Sequence, residues 1–143
     1  MIASPMSSPT VGEALATAAA RLREAGSETA RLDSEVLLGH VLGVDRSTLA
    51  AHPEARLGSS QAESFERCVQ RRQRGEPVAY IRGLKEFYGA AIVVDERVLI
   101  PRPETETLVE LAVDRVRADL TSYPRPEGSG PYVVWDLGTG SGA

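Results

Sequence analysis

Apolar side chains recur at helical spacing as far as Ile81, then change to short runs separated by glycine and proline. Val11, Leu15, Ala18, Ala19 and Leu22 fall on one face of a helix predicted over residues 11–25. Thr10 and Glu13 form a capping-box signature in front of it, and Gly26 supplies a stop. Leu32, Val36, Leu37, His40 and Val41 make the stripe of a second helix, opened by Ser27 or Thr29 and ended by Gly43. Asp45 caps a third, over 46–51, cut off near Pro53. Ser60 and Glu63 read as a second capping box, ahead of an inward face of Phe65, Cys68 and Val69 that stops at Gly75. A short turn or helix follows over 77–81. Four or five short amphipathic helices with brief loops predict a small bundle.

After Gly83 the period changes. Glu86-Phe87-Tyr88 and Ala91-Ile92-Val93-Val94 flank Gly89-Ala90, which predicts a β-hairpin. In the stretch Pro101-Arg102-Pro103-Glu104-Thr105-Glu106 the two prolines push Ile100 and Arg102 out of the α region. Pro103 suits the first turn of a helix, and Glu104 and Glu106 suit its positive end. Leu108, Leu111, Ala112 and Val116 carry that helix to about residue 120. A Pro/Gly/Ser-rich loop over 122–131 leads to Tyr132-Val133-Val134-Trp135-Asp136, the predicted first strand of a parallel sheet. The expected organisation is α+β: a disordered lead-in (1–9), a helical bundle (10–82), a hairpin linker (83–103) and the start of an α/β domain (104–143).

Composition narrows the class. With 16 basic and 20 acidic residues the net charge is −4, which argues against binding nucleic acid through a basic face. The cluster Arg67, Arg71, Arg72 and Arg74 reads as a solvated helix face. Cys68 is the one cysteine, so no intramolecular disulfide forms and a reducing cytoplasm is expected. Two histidines and one cysteine have no metal-ligand spacing. His40 is expected at the core or its boundary, His52 at the surface, and Tyr80, Phe87 and Cys68 as packing residues. No signal peptide or membrane-length apolar run is present, so no membrane contact is expected.

The chemistry concentrates in Asp136-Leu137-Gly138-Thr139-Gly140-Ser141-Gly142. Alternate glycines let a backbone adopt left-handed angles and approach a ligand closely. Gly138-x-Gly140-x-x-Ala143 satisfies a dinucleotide fingerprint, yet a carboxylate at the strand end repels a pyrophosphate. Asp136 suits a ligand bearing a cationic ammonium, as S-adenosyl-L-methionine does. The bland alternative is a β–α turn with no ligand.

Taken together these segments resemble the HemK/PrmC family. They are Ala30-Arg31-Leu32-Asp33-Ser34-Glu35-Val36-Leu37-Leu38, Arg71-Arg72, Gly75-Glu76-Pro77-Val78-Ala79-Tyr80-Ile81, Gly83 with Glu86-Phe87-Tyr88-Gly89, the Leu99–Glu106 run, and the glycine turn. The resemblance implies a helical substrate-recognition bundle, a hairpin linker and a Rossmann-like, seven-stranded methyltransferase domain. It implies methylation of a glutamine side-chain amide in peptide chain release factors. A cytoplasmic monomer with no direct nucleic-acid contact is expected. Asp136, Gly138, Thr139, Gly140, Ser141 and Gly142 would hold S-adenosyl-L-methionine. Pro101, Arg102, Pro103, Glu104 and Thr105 would line its pocket, or serve as a rigid connector. The family's Asn-Pro-Pro-Tyr motif has no counterpart, since the chain contains no asparagine. No catalytic residue is therefore expected in it, and by itself it is expected to be an inactive fragment. The alternatives are a ribosomal-protein glutamine methyltransferase, a non-catalytic release-factor-binding module and a dinucleotide-dependent oxidoreductase.

Overall fold

The computed structural model describes residues 8–122, 130 and 133–142. The chain divides into two compact units, Met1–Arg82 and Gly83–Ala143.

The first unit holds five helices: α1 (Val11–Glu24), α2 (Ala30–Leu42), α3 (Arg46–Ala51), α4 (Ser59–Gln73) and α5 (Val78–Arg82). Local hydrogen bonds set their starts. Glu13 N–H donates to Thr10 Oγ1 at 3.2 Å, and Thr10 N–H donates to Glu13 Oε2 at 2.8 Å, which closes the expected box. Asp45 Oδ1 accepts from Thr48 N–H at 2.8 Å and caps α3. Gly26, Gly43 and Gly75 sit at φ 88, 68 and 89° just past α1, α2 and α4. The apolar faces converge on one core, in which Leu22, Leu37, Leu38 and Val69 are almost fully buried. Each such side chain contributes roughly 1.5–3 kcal/mol through removal from water. The chain before α1 is stitched to the segment before α4: Leu57 N–H donates to Pro9 O at 3.0 Å, and Arg56 Nη1 donates to Ser8 O at 2.8 Å. Ser8 and Pro9 are thus held in place, whereas the lead-in was expected to be disordered; residues 1–7 of it lie outside the described residues.

Four expectations are corrected here. The Ser60–Glu63 box does not form. Gly58 is the N-cap, and its N–H donates to Gln61 Oε1 at 2.8 Å. Ser27 and Thr29 do not cap the backbone of α2; their hydroxyls donate to the Asp33 carboxylate at 2.9 and 3.0 Å. The buried face of α2 is Ala30, Asp33, Ser34, Leu37, Leu38 and Gly39, and Leu32 and His40 are exposed. This rotation follows from Asp33 and Ser34, polar residues that an apolar count leaves out but whose hydrogen bonds are made inside the fold. Arg72 is not a solvated cation: its Nε donates to Asp33 Oδ2 at 2.8 Å and its Nη1 to Glu76 O at 3.3 Å.

The second unit contains an antiparallel hairpin, β1 (Leu84–Phe87) with β2 (Ala90–Val93), and helix α6 (Pro103–Ser122). Leu84 pairs with Val93 and Phe87 with Ala90, which leaves Tyr88-Gly89 as a two-residue turn. Both turn residues have positive φ, 47 and 75°, as a type I′ turn requires. α6 starts at Pro103, as the two prolines predict. Val133, Val134, Trp135 and Asp136 form no strand: the segment reads as the first strand of a parallel sheet but is expected to lack strand partners in this chain, and Tyr132 lies outside the described residues. A strand needs a neighbour for its N–H and C=O groups, and no described residue pairs with this one.

Candidate functional site

Gly138, Gly140 and Gly142 adopt φ values of 86, 59 and 86°. The left-handed region costs a residue with a Cβ roughly 1–2 kcal/mol, so the alternation of glycines matches the path of the backbone. No heavy atom lies within 4 Å of where a Cβ would stand at Gly138 or Gly142, which leaves both faces approachable. Gly142 N–H donates to Thr139 O at 3.0 Å and closes the turn. Thr139 Oγ1 donates to Asp136 Oδ2 at 2.9 Å, which orients a carboxylate that is otherwise exposed. Ser141 is half-buried. The turn therefore presents one oriented negative charge beside an open glycine backbone, a set that suits a ligand with a cationic group.

The Pro101–Thr105 segment lies in the same unit. Pro101 is buried, while Arg102, Pro103, Glu104 and Thr105 are exposed. Thr105 N–H donates to Arg102 O at 3.0 Å as α6 begins. Among the described residues no hydrogen bond or ion pair joins this segment to the glycine turn. Glu106 has a role that its sequence position does not reveal. Its Oε1 accepts from Tyr88 N–H at 3.1 Å and ties the first turn of α6 to the hairpin turn 18 residues earlier. No local motif signals a contact of that separation.

Other candidate groups resolve into structural roles. Cys68 is half-buried, and burial pushes its thiol above the usual range, which keeps it protonated and unreactive. His40, exposed on α2, is held below the usual histidine range first by partial loss of water around its ring and then by the nearby Arg82. Phe87 is buried and His52 is exposed. Among the described residues no group of three or more His, Cys, Asp or Glu could hold a metal ion, and no helix is long and apolar enough to cross a membrane.

Residues 13–83 match the family described as PrmC N-terminal domain. A Rhodopirellula baltica protein named release factor glutamine methyltransferase is 45% identical over 121 residues, which is 85% of this chain and 39% of that protein. A Coxiella burnetii protein of the same name is 48% identical over 117 residues, 82% of this chain and 39% of that one. A third, from Bradyrhizobium diazoefficiens, is 40% identical over 99% of this chain and 46% of its own length. The chain thus spans less than half the length of these curated relatives. With the helical unit matched as a domain and the rest carried by these relatives, the chain belongs to the HemK/PrmC family.

Proposed function

We propose that the protein carrying this chain is an S-adenosyl-L-methionine-dependent methyltransferase acting on a glutamine side-chain amide of peptide chain release factors. The observation that carries this reading is 40–48% identity, across 82–99% of the chain, to relatives that bear that name. The turn supports it. Gly138, Gly140 and Gly142 keep the backbone bare, and Asp136, oriented by Thr139, offers a counter-charge to an ammonium or sulfonium group. Arg102, Glu104 and Thr105 are exposed at the start of α6, where they are free to line the same pocket. The Rossmann-like start of the second unit belongs to this proposal.

In this reading S-adenosyl-L-methionine supplies a methyl group activated by its sulfonium. An amide nitrogen is a weak nucleophile because its lone pair is delocalised into the carbonyl, so catalysis is chiefly alignment. The share that falls to this chain is binding. Asp136 fixes the cationic end, the glycines admit close approach of backbone, and the helical unit engages the protein substrate. No residue of the chain is assigned a proton transfer.

Binding of radiolabelled S-adenosyl-L-methionine to the protein carrying this chain, in competition with NAD, tests the cofactor class. Saturable binding that NAD does not displace, and that Asp136→Ala weakens, is expected. Displacement by NAD would overturn the reading in favour of an oxidoreductase.

A further inference from the structure

A groove of about 810 Å³ runs between α1 and α3 on the helical unit. Its floor is apolar, with Leu15 and Ala19 from α1 and Leu49 from α3. Its rim is cationic, with Arg23 at the end of α1, Arg31 on α2 and Arg46 at the start of α3. Glu35 is the one carboxylate lining it, and it is already engaged. Its Oε1 accepts from Arg31 Nε at 3.0 Å, and its Oε2 accepts from Arg46 Nε and Nη2 at 2.9 and 2.7 Å. These bonds hold two guanidinium groups at the rim with further N–H donors left over. The Arg23 guanidinium has no partner among the described residues. Three cations against one anion stand out on a chain whose net charge is −4.

We propose that this groove docks a segment of the release factor in which an apolar side chain is flanked by carboxylates. The proposal rests on the release-factor reading above and adds to it the face used and the chemistry it selects. The floor removes the apolar side chain from water, and the arginines pair with the flanking carboxylates. Guanidinium groups already oriented by Glu35 lose little freedom on pairing, so the ion pairs form at low entropic cost. Such a rim also attracts an acidic partner from a distance.

The test is titration calorimetry of the protein carrying this chain against a purified bacterial release factor, with unfolding midpoints recorded for every variant. Arg23→Glu, whose guanidinium has no partner to lose, is expected to weaken binding about tenfold or more and to flatten its salt dependence. Ala16→Trp, which fills the groove from an exposed position on α1, is expected to weaken it similarly. Arg67→Glu makes the same charge change on α4, outside the groove, and is expected to stay within about twofold of the parent. Parent-like affinity for both Arg23→Glu and Ala16→Trp would overturn the groove and leave the release-factor reading standing. No binding by the parent protein would overturn both. A sedimentation shift abolished by Arg23→Glu would assign the groove to a second copy of the chain and overturn the proposal.

Discussion

Asp33 accepts three hydrogen bonds, from Ser27 Oγ, Thr29 Oγ1 and Arg72 Nε, at 2.9, 3.0 and 2.8 Å. The α1–α2 loop, α2 and α4 therefore meet at one carboxylate whose side chain is 9% exposed. Asp33→Ala leaves the half-buried Arg72 guanidinium without its carboxylate, keeping only the bond to Glu76 O, and is expected to cost about 3 kcal/mol in chemical denaturation. A loss under about 1 kcal/mol would show that water replaces the carboxylate freely. Glu35 acts at the same scale. Its carboxyl is held below the ordinary glutamate value of 4.5, first by the hydrogen bond from Arg46, against the opposing effect of burial, and then by that from Arg31. A carboxyl lowered in the fold contributes stability that is complete above its unfolded value and is lost as pH falls through its folded value. Stability of the helical unit is thus expected to decline on acidification below about pH 4.5, and Glu35→Gln is expected to shallow that decline. An unchanged slope in the variant would contradict the assignment.

Glycine at the end of α2 shows how an element is closed. Gly39 lies inside the helix, where glycine ordinarily costs about 1 kcal/mol relative to alanine. A Cβ on it would stand 2.7 Å from the Val44 carbonyl oxygen, because the chain past Gly43 folds back to donate Val44 N–H to Gly39 O at 3.0 Å. Gly39→Ala is accordingly expected to destabilise the helical unit by about 1–3 kcal/mol despite the better helix propensity, and a rise in thermal midpoint would contradict this packing. The hairpin offers the opposite case. Tyr88 occupies a left-handed turn position at φ 47° and is half-exposed, so Tyr88→Asn is expected to stabilise the second unit by about 0.5–1 kcal/mol. Loss of stability there would mean that the tyrosine ring makes a contact worth more than the strain. These elements also mark what is legible in the chain. α3 and α6 read out directly, because Asp45 and Pro103 act on their own neighbours. The face of α2 does not, because its orientation depends on Arg72, 39 residues from Asp33. The start of α4 is missed for a different reason: a glycine with a glutamine behind it closes the cap where a serine looked the better candidate.

At the largest scale the chain is two compact units. The helical unit has its own core and a groove of mixed apolar and cationic character, and it is the part matched as PrmC N-terminal domain. The second unit carries the hairpin, α6 and the glycine turn. The turn was legible because three alternate glycines after an aspartate have few uses, and their left-handed angles agree with that pattern. The strand ahead of it does not form, because strand structure is a property of a pair and residues 133–136 have no strand partner among the described residues. The proposed activity uses both units: substrate held by the helices, cofactor held at Asp136 and its glycines. Mass spectrometry of a bacterial release factor, incubated with S-adenosyl-L-methionine and the protein carrying this chain, reads that activity out. One added methyl group on a glutamine side chain is expected, lost when Asp136→Ala replaces the parent protein. A release factor left unmodified by the parent, or a methyl group on any other residue type, would contradict it.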